Sequence, residues 1–377
     1  MDKAKRQSNI ELLRIMTMCG VIVLHYNNAT IGGGLAYAQG INLVILYYLE
    51  SLFACAVNLF VLISGYFMYT KQKRTLDKPF ELLVQVILFG EIFYLLLLLV
   101  QHEPFKINDF LKRLIPSNWF VILYITIYFV SPFLNLAIQK IKEDGLLTKF
   151  MVILILLFSI YPTCVDALGE ITRKEYVGLS SIGMYGSQWG YSIINFSLMY
   201  IIGAYLRKNP DTDSNIKHIA RILMVAAILT VWAFINDRTG FSTERSAWEY
   251  CNPLVIYMAV EIFRLFSNID IGQKRFINRF AEASFTVYLL HNKFLKFLRI
   301  PQFVLKMPII MLLHILISVL LIYTVCVVIY YAYSKSIPPI LNSLYNKFPV
   351  FKKGILENEW RLSLIHISEP TRHSLIS

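Results

Sequence analysis

About ten apolar runs, each close to twenty residues long and bounded by charge, proline or glycine, set the terms on which this chain of 377 residues can fold. A helix needs roughly 20 mostly apolar residues to cross a hydrocarbon layer about 30 Å thick. The runs at 10–27, 48–69, 79–100, 118–139, 146–165, 190–207, 216–235, 250–266, 280–298 and 307–332 meet or approach that length. They predict an all-α, polytopic integral membrane protein with about ten transmembrane helices. The seventh and eighth runs are the shortest or most polar.

Composition agrees, with 56% hydrophobic and 16% charged residues against about 45–50% and about 25% for a soluble domain. The net charge of +12 would point to nucleic acid in a soluble protein, but here the basic residues sit in short clusters between apolar runs. Positive loops stay in the cytoplasm. With the N-terminus inside, 22 Lys and Arg fall on the cytoplasmic side and 11 on the other, so both termini are expected to be cytoplasmic. The expected partners are membrane lipids, and no nucleic acid. One loop resists this pattern: Lys293, Lys296, Arg299 and Lys306 fall on the outer side.

The first run is expected to remain as a helix, because MDKAKRQSNIE leads into it without a small-residue cleavage site. Residues 1–335 form the membrane domain and 336–361 a short basic cytoplasmic tail. Residues 362–377 resemble a translated sequencing-library adaptor (LSLIHISEPTR) and are set aside. Cys19, Cys55, Cys164, Cys251 and Cys326 lie in or beside apolar segments without CxxC pairs. They read as core fillers, a Cys164–Cys251 disulfide being the alternative, and no metal or bound cofactor is expected.

The first run carries two groups that oil disfavours. Arg14 and His25 are eleven residues apart, which at about 100° per residue is three turns plus roughly 20°, so they share a helix face about 16 Å apart along the axis. An ionisable group within a span is costly unless it faces protein or water, which makes both functional candidates. The blander readings are that Arg14 snorkels to headgroups and that His25 caps the helix.

Further landmarks follow in order. Ser64 and Gly65 form a small pair in VNLFVLISGYFMY, Trp119-Phe120 opens the fourth run, IIGAYLRK occupies 201–208, and YLLH at 288–291 places His291 near the outer end of the ninth. Taken with the Arg-x10-His spacing and the Phe60 to Gly65 stretch, these resemble the type 3 membrane acyltransferases over about residues 8 to 332. The resemblance implies transfer of an acyl group, usually acetyl from the co-substrate acetyl-CoA, to hydroxyls of a bacterial surface polysaccharide or lipid-linked glycan. It implies a multi-pass protein of the bacterial inner membrane.

By position, Arg14 and His25 are the pair the family associates with activity. His25 would act as base or acyl carrier, since histidine titrates near neutrality. Lys71, Lys73, Arg74 and Lys78 would grip the donor's phosphates, a cluster that the charge bias of inner loops also explains. Ser64, Gly65, Trp119 and His291 are candidates for substrate or donor binding. Many relatives carry an acidic residue where this chain has Asn58, so a carboxylate partner would have to come from Glu50, Glu81, Glu91 or Glu261. A polytopic transporter or glycan exporter is the alternative, although no pair of similar halves is visible.

Overall fold

The computed structural model describes residues 6–70, 73–102, 104–174, 176, 188–240 and 244–354. Lys71 and the segment 362–377 lie outside them. Among the described residues every regular element is a helix.

The principal helices are α1 (Ser8–Asn27), α2 (Gly40–Phe53), α3 (Ala56–Met68), α4 (Asp77–Gln101), α5 (Trp119–Glu143), α6 (Leu147–Thr172), α7 (Ile193–Lys208), α8 (Asn215–Thr239), α9 (Pro253–Ser267), α10 (Arg275–Glu282), α11 (Ser284–Leu295) and α12 (Pro308–Lys347). Among the described residues, seven stretches are long and apolar enough to cross a membrane: α1, Gly40–Met68 (α2 with α3), α4, α5, α6, α8 and α12. The protein is a multi-pass membrane protein, and the expected count of ten is not confirmed among the described residues.

The shortfall has a physical reason. The sixth, eighth and ninth runs do form helices, but α7, α9 and α11 have 16, 15 and 12 residues, or about 24, 22 and 18 Å. Each falls short of a hydrocarbon core about 30 Å thick. The ninth run breaks at Ala283, which divides α10 from α11. These short helices are covered by protein: α7 buries ten of its 16 residues. By contrast, Leu95, Leu96, Leu99 and Val100 on α4 are exposed, as a lipid-facing helix requires. α12 has 40 residues, about 60 Å, twice what a bilayer core needs, and it continues through Ser336–Lys347, where a tail was expected.

The chain divides into two compact units, one of residues 1–67 and 137–335, the other of residues 68–136 and 336–377. The first holds α1, α2, α3 and α6 to α11. In it α3 and α7 approach closely at two glycines. A Cβ on Gly65 would lie 2.1 Å from the Tyr200 carbonyl oxygen, and one on Gly203 would lie 2.1 Å from that of Leu62. Only glycine permits backbones this close.

A buried charge cluster closes one end of α8 and α9. His218, with 0% of its side chain exposed, lies 2.6 Å from Asp211 through Nε2 and 2.7 Å from Glu261 through Nδ1. Arg221 bridges Glu261 and Asp213. Hydrogen bonds from Lys217 and Arg221 hold the Asp213 carboxyl below its usual range.

In the second unit, Arg74 is buried. Its Nε donates to Ser131 Oγ at 2.9 Å, its other nitrogens donate to the carbonyls of Lys73 and Met68, and the guanidinium lies 5.4 Å from the Tyr128 ring centre. All five cysteines are free. Cys55, Cys251 and Cys326 are buried as core fillers should be, whereas Cys164 is exposed.

Candidate active site

α1 begins without a side-chain cap and ends at Asn27, with His25 in its last turn. His25 Nδ1 is 2.9 Å from the carbonyl of Val21, one turn back. α11 repeats the device: His291, fully buried, sets Nδ1 2.9 Å from the Val287 carbonyl. The two rings meet edge to face with centres 4.7 Å apart, and His291 Nε2 is 3.1 Å from His25 Nδ1.

This geometry fixes the protons. A carbonyl only accepts, so Val287 requires a hydrogen on His291 Nδ1 and Val21 requires one on His25 Nδ1. In the neutral pair, His291 Nε2 is therefore an acceptor, and the His25 Nδ1–H is shared between it and Val21. The remaining lone pair of His25 sits on Nε2, for which the described residues supply no partner. Histidine chemistry is set by which nitrogen is free, and here it is Nε2.

His25 lines a cavity of about 170 Å³ with Leu24, Asn28, Glu50, Ala54, Trp189, Tyr191, Trp248, Glu249 and Tyr250. The helix ends supply one side and two loops the other. In the first loop, Trp189 takes φ +56° and Gly190 φ +77°. For tryptophan this is a strained conformation costing about 1–3 kcal/mol, of the kind that clusters at functional sites. At Gly190 a Cβ would stand 2.6 Å from the Cys251 nitrogen.

The second loop is fixed from three sides. The Tyr250 nitrogen donates to the Trp189 carbonyl at 2.9 Å. Ser159, presented by a π-helical turn at Leu156–Ile160 inside α6, donates to the Cys251 carbonyl at 2.6 Å. Asn58 donates to the Tyr250 carbonyl at 2.8 Å and accepts from Asn195 at 3.1 Å. Trp248 is tied to α2 through Ser51, 2.8 Å from its indole nitrogen. The walls are thus rigid, with four aromatic rings and two carboxylates. Trp189 and Tyr191 form the more open part, at 46% and 41% exposure.

A scan against protein families decides what kind of protein carries this cavity: the model of the acyltransferase domain of acyltransferase family 3 matches residues 7–331. The chain belongs to that family. It is a membrane acyltransferase. No curated protein and no solved structure matches it.

Within this acyltransferase the anticipated residues separate. His25 and His291 come together. Arg14 does not line their cavity: its guanidinium bonds both oxygens of Glu11, at 3.1 and 3.2 Å, and lies 6.0 Å from the Phe67 ring centre. Ser64 donates to the Phe60 carbonyl, and Gly65 serves the contact with α7. Trp119 stands at the start of α5 in the second unit, half exposed beside Phe120. Lys73 is exposed next to the buried Arg74.

Of the four carboxylates considered as partners, only Glu50 reaches the cavity, where it accepts from Asn27 at 2.8 Å. Glu81 pairs with Lys78, Glu261 belongs to the His218 cluster, and Glu91 is buried in α4. The group on His25 Nδ1 is an imidazole. Sequence reasoning missed Glu249, Tyr250, Trp189, Tyr191 and Trp248. Their only signal was the aromatic-acidic string Trp248-Glu249-Tyr250 just ahead of Pro253.

Proposed function

We infer that the protein is an O-acyltransferase that moves an acyl group, acetyl in the simplest case, from cytoplasmic acyl-CoA to a hydroxyl of an extracytoplasmic glycan. The observation that carries this reading is His25, its Nδ1 engaged by Val21 and His291, on the lining of a cavity walled by aromatic rings and carboxylates. Aromatic faces offer apolar area to the flat side of a sugar ring, and Glu50, Glu249 and Asn28 offer acceptors to its hydroxyls. Two carboxylates in so small a space disfavour a negatively charged sugar at the reacting position.

In the transfer step, Nε2 takes the proton of the acceptor hydroxyl as its oxygen attacks the thioester carbon. The tetrahedral adduct then collapses, the C–S bond breaks, and the imidazolium returns its proton to the departing thiolate. The same lone pair also suits a carrier role, in which Nε2 itself attacks the thioester and the hydroxyl attacks the acyl-imidazole in a second step. Arg14, about three helical turns toward the other end of α1, would hold a phosphate or the pantetheine carbonyl of the donor. By their sequence, Lys71 and Lys73 would add positive charge for the donor's phosphates. Arg74 would support that loop from within, three of its five N–H donors already being taken.

The test is transfer of labelled acetyl from acetyl-CoA supplied to the cytoplasmic face of membrane vesicles, with a surface-glycan extract of the host as acceptor. His25→Ala is expected to lower transfer by about 10²–10⁴-fold at equal protein level, the usual worth of a positioned base. Arg14→Lys keeps the charge but loses the planar fork, and is expected to raise KM for the donor. Transfer retained by His25→Ala would remove the base and carrier roles together. No label under any condition with folded protein would overturn this choice of donor and acceptor.

A further inference from the structure

We propose that His291 is a positioning residue that takes the place of the carboxylate usually set behind a catalytic histidine: its Nε2 accepts the Nδ1–H of His25 and stabilises the imidazolium formed when His25 takes up a proton. The inference rests on the reading of His25 as base, but its geometry is independent of that reading. His291 is fully buried, so its ring cannot be turned over to solvent. Its Nδ1–H is committed to Val287 at 2.9 Å, which leaves Nε2 as an obligatory acceptor 3.1 Å from His25 Nδ1.

The Val21 carbonyl, at 2.9 Å, already holds His25 in the correct tautomer. A second acceptor is therefore not needed for the tautomer. It matters when the ring becomes cationic: the Nδ1–H then carries positive charge, and a hydrogen bond from a charged donor is worth roughly twice a neutral one. A neutral imidazole supplies that stabilisation without placing a second full negative charge beside Glu50 and Glu249, both already on the cavity. Position 58 supplies no carboxylate to this site. The amide there is engaged with Tyr250 and Asn195, and the support of His25 comes from α11.

The experiment compares the full-length protein in membrane vesicles with His291→Gln, whose side-chain carbonyl keeps an acceptor, and His291→Leu, which fills similar space without one. His291→Met replaces Leu if that protein does not reach the membrane. The expected result is a kcat for Leu or Met about tenfold to hundredfold below wild type, with KM for donor and acceptor unchanged and kcat recovered to within about fivefold in His291→Gln. A purely structural role would move KM, yield and kcat together and would show no preference for Gln. Equal kcat in the Gln and Leu or Met proteins overturns the assignment, as does an inactive or absent His291→Gln protein. His25→Ala is assayed in parallel: its inactivity combined with equal Gln and Leu activities would sink this inference alone, and its activity would sink the base reading on which it rests.

Discussion

An acidic residue introduced at Asn58 would place a carboxyl where the structure needs a donor. Asn58 is 1% exposed, gives its amide hydrogen to the Tyr250 carbonyl and receives one from Asn195. In Asn58→Asp an ionised carboxylate keeps the bond from Asn195 but sets an anionic oxygen against the Tyr250 carbonyl. Leaving that carbonyl unsatisfied costs about 1–3 kcal/mol, and burying the charge without a cationic partner costs several more. The cheaper course is for the carboxyl to keep a proton and donate with it. From a reference value of about 3.9, holding that proton at pH 7 costs about 4 kcal/mol, at 1.36 kcal/mol per unit. The folded variant then binds a proton that the unfolded chain has released, so its stability falls as pH rises and recovers as pH falls. Between pH 7 and pH 5.5 the deficit relative to wild type should shrink by about 2 kcal/mol. Thermal denaturation in detergent at the two pH values measures this, with Asn58→Leu as a variant whose deficit carries no such pH dependence. An Asn58→Asp protein as stable as wild type at pH 7, or a deficit that grows on acidification, would refute the hydrogen-bond assignment at this position.

Two further substitutions test the packing and the loop. Gly203→Ala would drive a methyl to within 2.1 Å of the Leu62 carbonyl oxygen; the overpacking cost of about 1–3 kcal/mol or more should exceed the roughly 1 kcal/mol that alanine gains in a helix. A lowered melting temperature is expected, and an unchanged or raised one would contradict the contact between α3 and α7. Arg74→Ala removes three hydrogen bonds of a buried guanidinium and should lower stability by about 1–3 kcal/mol. Lys73→Ala, at an exposed position, should stay within about 0.5 kcal/mol of wild type while raising KM for the donor; the reverse ranking would return the phosphate-binding role to Arg74.

The helices were legible because a bilayer imposes one requirement, about 20 apolar residues, that any run either meets or misses. The same rule fails where a helix is covered by other helices instead of lipid. α7 and α9 are apolar enough to be noticed, but their lengths were set by what they pack on. Gly203 on α7 exists to meet Leu62, and Glu261 on α9 to meet His218. Neither relation has a period or a spacing. The π turn in α6 is invisible for the same reason, since it serves Ser159 and its bond to a carbonyl 92 residues away.

At the site, what could be read was what α1 alone determines: Arg14 and His25 on one face, their separation fixed by helical geometry. That arithmetic put both on one face of one helix, and the structure gives His25 the cavity and Arg14 the company of Glu11 and Phe67. The partner of His25 had to come from another helix, and a search guided by charge looked for a carboxylate. His291, 266 positions away, carries no formal charge and follows an ordinary apolar run. Its role emerges only when two backbone carbonyls, Val21 and Val287, dictate where the protons of both rings must lie. The base proposed for this acyltransferase is therefore defined less by the identity of its neighbours than by the acceptors that engage Nδ1 and leave the ring's lone pair on Nε2 of His25.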